Sequence, residues 1–296
     1  MERDKSNLTR RAALKSAAAV AACVFATEAT SNAAPAPATA QNAPADRQHL
    51  WFKSGDAFCS AMVHRAPGVS GNLPGVLIMH GLVASKDQPH RIFVALADAL
   101  AKAGFVAFRF DLRGRGESDG HSIDATPKRD LEDARAALAT LSKLPGVDAK
   151  KTIVMGMSWG GTLACYLAGE NLAVTRVILW SSCPRDNETW SPIMVTENNR
   201  QICDQFGNVL SKAFYDEVPE LTPQSQLKRL RQPVLLVYGT RDEVTRPAEF
   251  DKLKDELTFA DVSCTSVVID GADHALMNHL WEQKAIDETV RWLLHE

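Results

Sequence analysis

Thr152-Ile153-Val154-Met155-Gly156-Met157-Ser158-Trp159-Gly160 is the stretch that decides how this chain is read. An apolar run of strand type leads straight into a turn, and a helix-like stretch over 159–168 leaves it. A strand that turns at once into a helix lifts the residue at the turn out of the sheet edge, and that residue is Ser158. A serine hydroxyl is a poor nucleophile at its own pKa, so chemistry there needs a strained, exposed turn, small residues where backbones approach, and a base within reach. Gly156 and Gly160 are the small residues. Five residues of this pattern also arise as ordinary turn punctuation, so the rest of the chain must supply the base.

Outward from the turn, short apolar runs alternate with helical patterns: 75–79 then 88–103, 105–110 then 128–144, 152–155 then 159–168, 176–180, 233–238 then 247–257, and 263–269 then 279–294. This alternation predicts a mostly parallel sheet covered by helices on both faces. In the first helical pattern Ile92, Phe93, Leu96, Ala97, Leu100 and Ala101 fall at three- and four-residue spacing and make one apolar face. Residues 49–53 and 57–65 read as a preceding strand pair. Between 181 and 232 no clean strand is legible. A loop that long inside a compact domain is usually functional, which predicts a cap over the site at about 184–230.

A parallel α/β sheet places its site at the carboxyl ends of its strands. Ser158 ends one strand. Asp242, in Gly239-Thr240-Arg241-Asp242-Glu243, follows the run at 233–238, and His274, in Asp270-Gly271-Ala272-Asp273-His274, follows the last strand. In this reading His274 takes the Ser158 proton and later returns it to the leaving group, while Asp242 fixes the imidazole tautomer. A lone aspartate after a strand is most often a turn former, and a lone loop histidine is usually only solvated. Three placements at strand ends are harder to reach by accident. Glu243 adjoins Asp242 and stays open as the acid, whereas Asp270 and Asp273 share the short loop of His274 and reach poorly around its ring. His80-Gly81-Leu82, after the first core strand, supplies main-chain donors for a developing oxyanion: the N–H of Leu82 together with that of Trp159. The side chains of Leu82 and Trp159 are then free to shape a pocket.

Several strings together carry a resemblance. They are Met79-His80-Gly81 with Ser85-Lys86, Phe108-Arg109-Phe110-Asp111-Leu112-Arg113-Gly114-Arg115-Gly116-Glu117-Ser118-Asp119-Gly120, the Ser158 turn, Gly239-Thr240-Arg241-Asp242, and Gly271-Ala272-Asp273-His274. The chain resembles the α/β-hydrolase superfamily over 48–296, and within it the bacterial cinnamoyl/feruloyl esterases and related carboxylesterases. Similar strings occur in S33-type peptidases and lysophospholipase-like hydrolases. The resemblance implies a mostly parallel central sheet flanked by helices with a cap insertion, a triad in the chain order Ser158, Asp242, His274, and structural roles for Asp111 and Arg113. Where those esterases often carry His-Ser-Gln, this chain has Met157-Ser158-Trp159. Gly114-Arg115-Gly116 lacks the strand, glycine-rich turn and immediate helix of a dinucleotide site, so no nicotinamide or flavin is implied. No histidine pair or acidic cluster has metal-ligand spacing.

Composition bounds the rest. The chain has 296 residues, 45% hydrophobic and 23% charged, which suits one α/β domain with an insertion. Its net charge is -3; residues 1–33 carry five basic and three acidic side chains, so the remainder carries -5. No basic stripe points to nucleic acid. Thr9-Arg10-Arg11-Ala12-Ala13-Leu14-Lys15 resembles a twin-arginine export signal. The Ala-rich run that follows is too short to anchor in a bilayer, and Ser31-Asn32-Ala33 and Ala38-Thr39-Ala40 offer small-residue cleavage sites. Residues 1–33 are therefore expected to be a signal peptide directing the chain to the periplasm or beyond. Acylation at Cys23 is the lesser alternative, because Val24 and Phe25 continue the apolar run past it. Residues 34–47, rich in Ala and Pro, read as a flexible linker. Cys59, Cys165, Cys183, Cys203 and Cys264 form neither a disulfide framework nor a zinc pattern, although Cys183 and Cys203 are available to pair.

The expected activity is a cofactor-free serine hydrolase cleaving carboxylic esters through an acyl-enzyme. Its partner is a small to medium, partly apolar or aromatic ester, bound by Trp190, Met194 and Phe214 of the cap, where Ile193, Phe206 and Tyr215 are also found. One rival is an exported S33-like peptidase, in which Glu188, Glu197, Asp204, Asp216, Glu217 or Glu220 would receive a substrate amine. The other is a non-catalytic hydrolase-fold binding protein. Oligomeric state is not legible in the sequence.

Overall fold

The run at 75–79 lies in strand β3 (Leu73–Met79), and alternate residues of it enter two different cores: Leu77 and Met79 one, Val76 and Ile78 the other. The same division holds in β5 (Val147–Met157), β6 (Val174–Trp180) and β10 (Val234–Gly239), where Val154, Leu179 and Leu236 face one core and Met155, Ile178 and Leu235 the other. A strand buried on both faces reads as a continuous apolar run, which is why these four were legible. The computed structural model describes residues 45–69, 71–170, 173–185, 192–205 and 207–295. The expected signal peptide, Cys23 and most of the expected linker lie outside the described residues.

β1 (Asp46–Ser54), β2 (Ala57–Arg65), β4 (Val106–Phe110) and β11 (Cys264–Ile269) complete an eight-stranded sheet in the order β1-β2-β4-β3-β5-β6-β10-β11. β2 runs antiparallel to both β1 and β4, and the other neighbours are parallel. On one face lie α1 (Ile92–Lys102) and α7 (His279–His295); on the other lie α2 (Pro127–Leu141), α3 (Trp159–Glu170) and α6 (Pro247–Phe259). α1 begins later than its apolar pattern suggests. Gln88, His90 and Arg91 all have positive φ, so the chain turns three times in left-handed geometry before a helix can start. β1 begins at Asp46, paired with Arg65, two residues ahead of the expected domain start.

The cap departs most from expectation. It holds a second sheet, β7 (Val195–Glu197), β8 (Arg200–Gln205) and β9 (Asn208–Ser211), followed by the short helices α4 (Lys212–Glu217) and α5 (Pro223–Leu227). Its strands are three to six residues long; β7 is exposed throughout and β8 buries the adjacent Ile202 and Cys203, so they carry no alternation to read. What makes the first hairpin is Asn198-Asn199, both at positive φ (47° and 61°), the geometry a two-residue turn between antiparallel strands favours. Cys183 and Cys203 are separate thiols. Among the described residues, no helix is long and apolar enough to cross a membrane.

Candidate active site

Ser158 stands between β5 and α3 with φ at 52°, in the left-handed region. For a residue with a Cβ this costs on the order of 1–3 kcal/mol, so the surroundings must impose it. They do: Ser158 N–H donates to Trp180 O (2.9 Å), and Ser158 O accepts from Gly161 N–H (2.9 Å) and Ser182 Oγ (2.8 Å). The flanking glycines are required by contact. A Cβ on Gly156 would stand 2.0 Å from Gly160 O, and one on Gly160 would stand 2.2 Å from Met79 O. β5, α3 and the end of β3 thus close on one another, and Ser158 is the one residue from Thr152 to Ala168 that is not buried.

The loops after β10 and β11 are stitched together. Arg241 N–H donates to Ala272 O (2.9 Å), and Thr240 Oγ1 donates to Asp270 Oδ1 (3.0 Å) and accepts from Gly271 N–H (2.7 Å). This brings Asp242 to His274. His274 Nδ1 lies 2.9 Å from Asp242 Oδ2 and 3.0 Å from Oδ1, while Nε2 lies 3.0 Å from Ser158 Oγ. Asp242 is 2% exposed, and its Oδ1 also accepts the N–H groups of Val244 (2.9 Å) and Thr245 (2.8 Å), which orient it. A carboxylate facing Nδ1 keeps the proton on that nitrogen and leaves the Nε2 lone pair toward the serine. The other acids are placed differently: Asp270 is held by Thr240, Asp273 accepts Met277 N–H (3.0 Å), and Glu243 is exposed.

The loop after β3 runs beside the serine, since a Cβ on Gly81 would lie 3.7 Å from Ser158 Cβ. Leu82 N–H donates to no partner among the described residues. Two side chains hold the loop. His80 is fully buried; its Nδ1–H donates to Gly81 O (2.7 Å) and its Nε2 accepts Leu112 N–H (3.1 Å). Burial pushes its pKa down to about 4, and the neutral ring is the form both bonds need. Gln88 accepts Gly81 N–H (3.1 Å) at Oε1 and donates from Nε2 to Met157 Sδ (3.2 Å), tying the loop to the residue before Ser158. Asp111, with no exposed surface, accepts Lys86 N–H and Lys86 Nζ–H (both 2.6 Å) and Glu117 N–H (2.9 Å). Arg113 is likewise structural, pairing with buried Asp133 (2.7 Å) and with Glu132 (2.6 Å).

The expected pocket residues divide. Trp190 lies outside the described residues, as do Glu188 and Phe206. Met194 is half-buried against the larger core, and Phe214 has no exposed surface, its ring 5.4 Å from that of Trp159. The Trp159 indole is engaged rather than free to shape a pocket: it is 3% exposed and donates from Nε1 to Asp130 Oδ2 (2.9 Å). Asp130 in turn pairs with Arg115, and sequence reading missed both. A signal was present, because Asp130 and Asp133 fall on the stripe of α2 that includes Ala134, Ala137 and Leu141, where an acid is out of place unless it is paired.

A sequence model of the alpha/beta hydrolase fold family matches residues 74–211. The chain is 31% identical over 144 residues to the quorum-quenching protein AidA of Acinetobacter baumannii, covering 48% of this chain and 45% of that protein. It is 25% identical over 271 residues to the esterase EstD of Thermotoga maritima, covering 77% and 64%. The chain thus spans about half to two thirds of the length of these curated relatives. Among solved structures, Est1E of Butyrivibrio proteoclasticus with ferulic acid bound superposes with a TM-score of 0.73 at 20% identity, covering 83% of this chain and 98% of that one.

Proposed function

The chain is an α/β hydrolase by fold, and from that premise we propose that it is a serine esterase that cleaves small to medium, partly apolar or aromatic carboxylic esters through an acyl-enzyme. The observation that carries this reading is the continuous relay from Ser158 Oγ through His274 to Asp242, at 3.0 and 2.9 Å, on a serine held in strained backbone geometry. Ser158 Oγ attacks the ester carbonyl as His274 Nε2 takes its proton, and the negative oxygen that forms is met by the N–H groups of Leu82 and Trp159. The carbon–oxygen bond to the alcohol breaks as His274 returns the proton to the leaving oxygen. Water, deprotonated by the same nitrogen, then attacks the acyl carbon; the bond to Ser158 Oγ breaks, His274 returns the proton to that oxygen, and the carboxylic acid leaves.

An ester substrate is favoured over a peptide anchored by its amine because four of the six cap carboxylates that could receive that amine are engaged, while Glu197 is exposed and Glu188 lies outside the described residues. Asp204 accepts Gly207 N–H (2.7 Å), Asp216 pairs with Lys212, Glu220 pairs with Lys128 (2.7 Å), and Glu217 accepts Lys128 N–H (3.4 Å). Export through the twin-arginine pathway is part of the proposal and places the activity in the periplasm or outside the cell. The test is a panel of short-chain aryl esters, hydroxycinnamate esters, long-chain lipids and aminoacyl amides, with Ser158→Ala as control. Aryl or hydroxycinnamate turnover lost in Ser158→Ala is the expected result. Amide cleavage alone would make the protein a peptidase, and no turnover at all would make it a binding protein.

A further inference from the structure

Two of the most deeply buried charges beneath the site take no part in the relay. Arg115 is 2% exposed and Asp130 has no exposed surface; the guanidinium grips the carboxylate as a fork, at 2.7 Å to Oδ1 and 3.0 Å to Oδ2. Complete burial pushes the Asp130 carboxyl upward, against the opposing pull of Arg115 and the Trp159 indole. Taking such a pair out of water is costly, and apolar side chains of similar volume often serve stability as well or better. The question is what else the pair touches. Asp130 Oδ2 accepts the Trp159 indole N–H at 2.9 Å, and Arg115 Nε donates to Leu82 O at 3.4 Å. A second Arg115 nitrogen donates to Arg113 O at 3.0 Å and fixes the guanidinium plane to the loop after β4.

Trp159 and Leu82 are the two residues whose main-chain N–H groups receive the oxyanion in the esterase reading, on which this inference rests. They belong to separate segments, the first turn of α3 and the loop after β3. We propose that Arg115 and Asp130 are positioning residues that hold these two segments at a fixed separation, so that both amides are aimed before the reaction begins. Asp130 sits on α2, a helix of fifteen residues, and so offers a fixed post rather than a mobile loop. Preorganised donors stabilise the developing charge without reorganising at the moment of reaction. A misplacement of about 1 Å can cost on the order of 10²-fold in rate.

Trp159→Phe is the decisive variant. It removes the indole N–H, keeps the ring packed on Phe214, keeps the main-chain donor, and leaves Asp130 paired with Arg115. Asp130→Asn is the harsher companion. For each variant, kcat and KM on a short-chain aryl ester are measured with the melting temperature, and so is the affinity for two ligands of one frame. One is an aryl trifluoromethyl ketone, which adds to the serine and forms an oxyanion; the other is the methyl ketone, which binds without adding. In Trp159→Phe, kcat and trifluoromethyl ketone affinity should both fall about 10-fold, and in Asp130→Asn about 10²-fold, with KM and methyl ketone affinity within about twofold. The double variant should be no worse than Asp130→Asn, because both changes break one link. Lower melting temperatures with unchanged kcat and unchanged trifluoromethyl ketone affinity would overturn the proposal and leave a purely structural pair. If Asp130→Asn does not fold, Trp159→Phe decides alone. Turnover surviving in Ser158→Ala would remove the esterase reading beneath it, whereas a dead Ser158→Ala beside fully active Trp159→Phe and Asp130→Asn overturns only the positioning role.

Discussion

Replacing Asp242 with asparagine tests the relay without changing its shape. Asp242 Oδ1 accepts two main-chain N–H groups, from Val244 and Thr245, and these fix which way an amide must sit: its oxygen takes the Oδ1 place. The amide nitrogen then occupies the Oδ2 place, 2.9 Å from His274 Nδ1, and donates to it. A ring that accepts at Nδ1 carries its proton on Nε2, 3.0 Å from Ser158 Oγ, where a lone pair is needed. The base is lost while the geometry survives. Comparable tautomer inversion in serine proteases lowers kcat by roughly 10⁴-fold, about 5.4 kcal/mol of barrier. Stopped assays with a short-chain aryl ester should show that loss in kcat, with KM within a few-fold of the parent and a cooperative melt close to it. Glu243→Gln, at an exposed position, should be near neutral. If Asp242→Asn keeps kcat within tenfold, or if Glu243→Gln carries the large loss, the reasoning is refuted.

Three further outcomes are expected. Gly160→Ala puts a methyl group 2.2 Å from Met79 O and should destabilise the fold by about 3 kcal/mol; an unchanged denaturant midpoint would mean that α3 can retreat from β3. His80 is held near 4 against an ordinary 6.5, so the unfolded chain binds the proton first; its contribution is present above pH 6.5 and is lost as pH falls toward 4, by about 3 kcal/mol in all. His80→Gln, which offers one donor and one acceptor but does not titrate, should flatten the stability–pH profile in that window, and an unaltered slope would assign it to other groups. Replacing Arg10 and Arg11 with lysines should hold a full-length precursor in the cytoplasm, and undiminished periplasmic yield would exclude the twin-arginine route.

Strands buried on both faces are apolar over most of their length, so 75–79, 105–110, 152–155, 176–180 and 233–238 were legible in the sequence even with Arg109 buried in the second of them. The turns after 152–155, 233–238 and 263–269 pointed to Ser158, Asp242 and His274 as candidates, with Glu243 beside Asp242 as the open alternative. Local chemistry was enough there, because a strand's burial is written into its own residues. Choosing between Asp242 and Glu243 was another matter: adjacent acids differ only in which one the loop after β11 meets, and that depends on Arg241 and Thr240 bonding to residues thirty positions away. The cap sheet stayed invisible because strands of three to six residues, with burial that does not alternate, have no period to display. The fork of Arg115 on Asp130, with Trp159 and Leu82 at its ends, was decided only by tertiary structure. Its partners come from four separate segments, and the desolvation that makes such a pairing obligatory exists only once the chain has closed around it.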